Sequence, residues 1–206
     1  MNKAVNAIDA SDNIYNEMIG LIKKAFIDAK NMRVSDYNTT SLATVSSDGN
    51  KPSVRTITIS DIGDTGLLFF ANNLSAKAQS IKQNPHVGLC FYWPELRLQI
   101  IAQGVVKEMS REEAAKWWGK RDRNFQLTAW LSDVRHTTQT TDEAQQKRIS
   151  IKQSFVDERI PLPANWSAYR IALTQVEFWR ANWKSASERY SYQLNNNQWS
   201  KHILVT

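Results

Sequence analysis

Ser41-Leu-Ala-Thr-Val-Ser-Ser-Asp48-Gly49-Asn50, then Pro52-Ser-Val-Arg55-Thr-Ile-Thr-Ile-Ser60, Gly66-Leu-Leu-Phe-Phe-Ala-Asn72 and Ser75-Ala-Lys77 form the stretch on which the fold turns. Leu42, Ala43 and Val45, then Val54, Ile57 and Ile59 among threonines, give the β-branched, roughly alternating pattern of strands with one buried face. Asp48-Gly49 marks a hairpin, because glycine takes the positive φ of a tight turn. The stretch predicts a three-strand meander running into a helix N-terminus at Ser75-Lys77. Arg55 lies mid-strand among apolar neighbours, where a cation must be paired or face a ligand. Lys77 falls in the first helical turn, where exposed amides favour an anion. Together the two cations can hold a phosphate; taken separately they are a strand-edge arginine with a packed stem and a solvated helix lysine.

Outward from this stretch, 206 residues with 42% hydrophobic content suffice for one sizeable core, so residues 1–206 are expected to form a single domain. The net charge of +6 and pI of about 9.4 suit an anionic small molecule. The positive residues are scattered, which argues against nucleic acid as a partner. Cys90 is the only cysteine, so no internal disulfide forms and a reducing, cytoplasmic setting is expected. No stretch is long and apolar enough to span a bilayer and no basic-then-apolar leader pattern opens the chain, so no membrane partner is expected.

Ile14, Met18, Leu21, Ile22, Ala25 and Phe26 recur at helical spacing behind a Ser11/Asp12 cap, predicting an amphipathic helix over 11–30 that packs on the rest of the fold or on a second subunit. A short helix over Ser75–Asn84 stops before Pro85. Val87–Trp93 is nearly all apolar and reads as a strand buried on both sides, with Cys90 a packed thiol. Leu96–Met109 reads as a longer strand, in which Gln99 is either a solvated ladder residue or a ligand contact. Ser110-Arg-Glu-Glu113 is a capping box opening a helix with Trp117 and Trp118. The basic run Lys120–Arg123 and a short helix over Phe125–Trp130 could stack bases; lacking a strand platform, they read as the rim of a small-molecule pocket. Thr137–Asp142 reads as a polar loop and Glu143–Asp157 as a weakly amphipathic helix. The tail returns to β: Trp166–Leu173, a polar turn, Val176–Trp179, Arg189–Leu194, a turn at Asn195–Asn197, and Trp199–Val205. The class is mainly β with peripheral helices.

Several chemistries are excluded. His86, His136 and His202 are far apart and one cysteine cannot complete a zinc cluster. No Walker loop, Gly-x-Gly-x-x-Gly or Gly-x-Ser-x-Gly occurs, so a nucleotide would be held without those devices.

The order of elements resembles the pyridoxamine 5'-phosphate oxidase family from about Ser41 to Thr206. The resemblance is carried by Arg55-Thr-Ile-Thr-Ile-Ser60, Gly66–Asn72, Ser75-Ala-Lys77, Asn84-Pro85, Gln99, Arg121-Asp-Arg123, Ala129-Trp130, Pro161-Leu-Pro163 and Val176-Glu-Phe-Trp179 with Glu188-Arg189. It implies an FMN-binding split β-barrel, a homodimer with the flavin site between subunits, and a C-terminal β segment over 161–206 that completes that site. It also implies that Arg55 and Lys77 grip the flavin phosphate, that Gln99 meets the ring system, that Trp179 and Arg189 complete the site, and that Phe70 and Ala71 line it. Ala76 stands where the family has a second phosphate arginine, and Val134-Arg135 replaces its Gln-Ser pair.

On the substrate side, the family's lysine, tyrosine, arginine and serine for the vitamin phosphate correspond here to Ser60, Trp117, Arg121 and Phe125, and its Arg-x-His over the substrate ring reads Ser185-Ala-Ser187. Ser60 is counted with the cofactor-binding set. Each lost charge-assisted hydrogen bond is worth roughly 1.5–3 kcal/mol. The resemblance therefore implies an FMN-dependent oxidoreductase that takes a hydride from a small amine or an aromatic, phenazine-type heterocycle, with Arg189 and Arg121 as the catalytic pair and no metal. A genuine pyridoxamine 5'-phosphate oxidase and a non-catalytic flavin-binding module are the alternatives.

Overall fold

The structure, a computed structural model, describes residues 2–46, 48–133, 140–156, 158–182 and 186–204. The alternation around Asp48-Gly49 folds as predicted. Strands β1 (Thr39–Val45) and β2 (Pro52–Gly63) pair antiparallel from Thr39↔Thr58 to Val45↔Pro52, and Gly49, at φ 74°, donates its N–H to the Ser46 carbonyl at 2.9 Å. Strand β3 (Gly66–Asn72) returns along β2, with a register shift between Ile59 and Asp61 that leaves Ser60 outside the ladder. Helix α2 (Ala76–Gln83) follows, its Ser75 hydroxyl accepting from the Ala78 N–H at 3.4 Å.

Five more strands complete the sheet: β4 (His86–Trp93), β5 (Leu98–Glu108), β6 (Trp166–Arg180), β7 (Glu188–Asn195) and β8 (Gln198–Ile203). The order is β3-β2-β1-β4-β5-β6-β7-β8, and β3 also pairs with β6, so β1–β6 close into an antiparallel barrel and β7–β8 extend it. Closure depends on two glycines. A Cβ on Gly66 (φ 106°) would run into the Ile171 carbonyl oxygen, and one on Gly104 into the Ala172 carbonyl oxygen. Leu42, Ile57, Ile59, Phe69, Leu89, Phe91, Ile100 and Ile171 fill the interior, each side chain contributing about 1.5–3 kcal/mol by leaving water.

Helix α1 spans Asn2–Asn31 and buries Met18, Ile22, Ala25, Phe26 and Ala29. Its stripe packs on its own chain, with Tyr15 5.5 Å from the Trp199 ring and Phe26 edge-on to Phe91 and Trp93. Ser11 is not its cap: the helix runs through it, and the Ser11 hydroxyl accepts the Trp199 N–H at 2.8 Å, satisfying strand β8 instead.

Three other expectations are corrected. Strand β4 alternates, burying Val87, Leu89, Phe91 and Trp93 while exposing His86, Cys90 and Tyr92, so Cys90 is an outward thiol rather than a packed one. Strand β6 runs unbroken for 15 residues through the expected turn at Thr174-Gln175. Helix α5 (Thr141–Ser154) begins inside the expected polar loop, because Thr140 and Glu143 form a second capping box.

Two compact units divide the chain: Met1–Phe69, Ser80–Lys107 and Arg170–Thr206 in one, Phe70–Gln79 and Glu108–Tyr169 in the other. The barrel belongs to the first. The second holds α3 (Arg111–Trp118), α4 (Arg123–Asp133) and α5. Ser110 and Glu113 cap α3 reciprocally, as predicted. Arg111 donates to the carbonyls of Leu162, Pro163 and Trp166, and Arg123 to those of Phe155, Val156 and Glu158. Two guanidinium groups thus satisfy an irregular stretch that has no ladder of its own.

Candidate functional site

In the helical unit the structure brings three sequence-predicted residues together. Phe70, at the end of β3, is 7% exposed. Beyond α3 the chain turns on bonds from the Lys120 and Arg121 N–H groups to the Trp117 and Trp118 carbonyls, each 3.1 Å. This turn carries the Arg121 guanidinium to 4.7 Å from the Phe70 ring centre and 5.2 Å from that of Phe125. Burial draws the Arg121 pKa down to about 10, which leaves it a cation at neutral pH. Trp118 backs the cluster. Its ring meets Phe70 edge-on at 5.9 Å and its buried indole N–H donates to the Ile160 carbonyl at 2.9 Å. Phe125 is 47% exposed, and Trp117 is half-buried with the Lys120 ammonium 4.4 Å over its ring.

The Arg121-Asp-Arg123 motif therefore divides its labour. Arg121 faces the aromatic rings, the Asp122 carboxylate accepts the Asn124 N–H at 2.8 Å at the start of α4, and Arg123 is the carbonyl clamp described above. Ala71 is buried beside Phe70, and Lys77 is half-buried in the first turn of α2.

In the barrel unit, Arg55 continues the inward-facing row of Ile57 and Ile59, opposite Leu42. Its guanidinium donates to the Leu42 carbonyl (3.3 Å), the Thr44 hydroxyl (2.7 Å) and the Ser53 hydroxyl (2.6 Å). All three acceptors are neutral, so the orientation is fixed while the charge stays uncompensated by them; burial lowers its pKa from the usual value. Gln99 is half-buried on the outer face of β5, opposite Tyr92. Ser60 lines a hollow of about 370 Å3 with Lys23, Phe26, Ile27 and Lys30 of α1.

Trp179 and Arg189 are register partners on β6 and β7. Arg189 forms a forked pair with Glu177, Nε to Oε1 at 2.8 Å and Nη2 to Oε2 at 3.2 Å, and the bond to Glu177 raises its pKa. Ser187 and Arg189 share a cavity of about 430 Å3 with Tyr190, Lys201, Ile203 and Leu204. Lys201, which the sequence analysis missed, lies 2.7 Å from the Glu17 carboxylate on α1, and that carboxylate also accepts the Tyr192 hydroxyl at 2.8 Å. Neither was visible from residue types: Glu177 reaches Arg189 diagonally across the β6–β7 ladder, its register partner being Ser191, and Lys201 reaches Glu17 through the packing of α1 on β8. Ser185, Val134, Arg135 and His136 lie outside the described residues. Among the described residues no cluster of His, Cys, Asp and Glu could hold a metal.

Each unit by itself offers features suited to an anionic, aromatic group: in the barrel unit Arg55, held by three neutral oxygens, and Trp179 opposite Arg189, and in the helical unit Lys77 in the first turn of α2. A family model for pyridoxamine 5'-phosphate oxidase matches residues 28–160. A pyridoxine/pyridoxamine 5'-phosphate oxidase from Crocosphaera subtropica is 34% identical over 200 residues, covering 96% of this chain and 91% of its own length. Among solved structures, PhzG from Burkholderia lata, in complex with tetrahydrophenazine-1-carboxylic acid, superposes with a TM-score of 0.81 at 25% identity, covering 90% of this chain and 91% of that one. A pyridoxamine 5'-phosphate oxidase-related, FMN-binding protein from Nostoc punctiforme shares the fold at a TM-score of 0.72 and 21% identity, over 91% and 96% of the two chains. With its barrel, its order of elements and these matches in agreement, the chain belongs to the pyridoxamine 5'-phosphate oxidase family.

Proposed function

We propose that the protein is an FMN-dependent oxidoreductase that dehydrogenates a reduced aromatic heterocycle of the phenazine type rather than a vitamin B6 phosphate. The observation that carries this reading is the Arg121 cluster, where one cation sits against the rings of Phe70 and Phe125. A phosphate monoester pocket needs several donors, and by the family resemblance Ser60, Trp117 and Phe125 would take the other donor positions. The likeness to PhzG, whose structure holds a tetrahydrophenazine, supports the same reading.

When bound, FMN supplies the two-electron acceptor for a hydride from the substrate and passes the electrons on to dioxygen or another acceptor. Arg55 and Lys77 would hold its phosphate, Phe70 and Ala71 would line it, and Gln99, Trp179 and Arg189 would fix its ring system. Arg189 would also supply positive potential where negative charge gathers. Ser187 would leave room over the substrate ring where the family has a larger side chain. A homodimer would complete the site.

A second reading, oxidation of pyridoxamine 5'-phosphate, is favoured by the names of the curated relatives at about one-third identity. Anaerobic reductive titration of the FMN-loaded protein separates the two. Bleaching of the flavin band by a tetrahydrophenazine but not by pyridoxamine 5'-phosphate is the expected result; the reverse overturns the proposal.

A further inference from the structure

Resting on the reading that Arg189 meets the flavin, we infer that Glu177 positions that arginine and sets the reduction potential of the bound cofactor. Its carboxylate holds the guanidinium by one edge, leaves the other edge for FMN, and offsets part of the positive charge that reduced FMN would otherwise feel.

The first ground is the geometry of the pair. A guanidinium carries five N–H donors, and two of its edges can each bond a planar acceptor in a fork. Glu177 takes the edge made by Nε and Nη2, at 2.8 and 3.2 Å. The edge made by Nη1 and the outward N–H of Nη2 has no partner among the described residues. The Glu177 side chain is 14% exposed and that of Arg189 42%, so the pair is anchored at its acidic end and open at its basic end. A long side chain held along one edge has given up its rotamer freedom before a ligand arrives.

The second is the ladder. Arg189 stands opposite Trp179 and Glu177 opposite Ser191, so the carboxylate reaches the guanidinium on the diagonal of the β6–β7 pair. Positions on that diagonal share a face, which sets Glu177, Arg189 and Trp179 on the same side of these strands. The Ser191 hydroxyl, buried beside Glu177, bonds nothing among the described residues. Arg189 is therefore the one partner of Glu177 among them.

The third is charge. FMN gains negative charge on reduction, and a lone cation beside it favours the reduced form. An ion pair projects a weaker field than the cation by itself. Glu177 thus keeps the donors of Arg189 in place while holding the potential down, which favours release of electrons to the acceptor.

Anaerobic reduction of the FMN-loaded protein against reference dyes gives the midpoint potential and tests this. Glu177→Gln keeps the shape and removes the charge. Its potential is expected to rise, the ratio of the oxidised to the reduced FMN dissociation constant growing about tenfold, or about 30 mV for a two-electron couple. Glu177→Asp restores the charge on a shorter stem; it should bring that ratio back to within about threefold of wild type while binding oxidised FMN more weakly than wild type. Arg189→Met should lower the potential and weaken FMN binding. A variant that does not retain FMN is titrated separately with oxidised and with reduced FMN, which yields the same ratio. An unchanged or lower potential in Glu177→Gln, even with a lower melting temperature, makes the pair structural and overturns the inference; a shift in Arg189→Met then leaves the Arg189 reading standing. Wild-type potential and FMN affinity in Arg189→Met overturn that reading, and the role of Glu177 with it.

Discussion

Arg55 is a cation held in place by three neutral oxygens, an arrangement that keeps its charge available to an incoming anion. Replacing it with methionine keeps most of the packed stem and removes the charge. The FMN dissociation constant should then rise about tenfold to a hundredfold, read by quenching of flavin fluorescence, with far-ultraviolet circular dichroism unchanged. Little change in FMN affinity would mean that the Thr44 and Ser53 bonds are purely structural. Glu17 is a different case. Bonds from Lys201 first, then Tyr192, lower its pKa from 4.5, so the folded state holds its proton less tightly than the unfolded chain. Its contribution to stability is complete above about pH 4.5 and disappears as pH falls through the depressed folded value. Glu17→Gln should therefore flatten that part of the acid limb in urea melts taken from about pH 3 to about pH 7. The difference should stay below about 1 kcal/mol, because the pair is open to solvent. A variant that follows the wild-type curve across this range would show that the Lys201 bond is not formed in solution.

At the scale of elements, the barrel's closing seam and the helix caps respond differently to substitution. Gly104→Ala sets a methyl against the Ala172 carbonyl and the Ile171 side chain, backbone and core atoms that cannot yield. A loss of about 3 kcal/mol is expected in urea melts. Ser110→Ala removes one half of a capping box and should cost about 1 kcal/mol, a fall of about 2–4 °C in melting temperature. The contrast shows which elements the sequence discloses. The Asp48-Gly49 hairpin, the Asn195–Asn197 turn and the Ser110–Glu113 cap are local chemistry and are readable from residue types alone. The Thr140–Glu143 cap is the same chemistry, hidden because the polar run before it looks like loop. Strand β4 looked buried on both sides because Cys90 and Tyr92 are apolar letters on the outer face, and composition does not separate a core face from one that awaits a partner. Strand β6 looked broken because its inward parity changes from Ile171 and Leu173 to Val176 and Phe178 across Thr174-Gln175, a phase shift that a turn also produces. Arg121 and Phe125 were legible as neighbours because they lie close in sequence, where the turn after α3 runs into α4. Glu177 and Lys201 were not, since one reaches its partner diagonally across a ladder and the other through the packing of α1 on β8.

At the scale of the whole molecule, the outer face of the barrel carries the argument for assembly. Val54 on β2, Tyr92 on β4 and Ile101 on β5 are 65%, 58% and 36% exposed, and Cys90 and Gln99 lie on the same outward rows. Apolar side chains spread over successive strands of one face are a poor match for water and a good one for a second copy of the same face, which a two-fold axis would supply. A net charge of +6 opposes such pairing only weakly at physiological salt, where exposed charges are screened over about 8 Å. Ile101→Asp should therefore convert a dimer into a monomer in sedimentation velocity, because it sets two carboxylates into an apolar contact. If the flavin site is completed across that contact, the same variant should lose FMN on gel filtration while its barrel keeps the wild-type circular dichroism. A wild-type chain that sediments as a monomer and still retains FMN would show that one copy holds the cofactor unaided, and the outer face would then need another explanation.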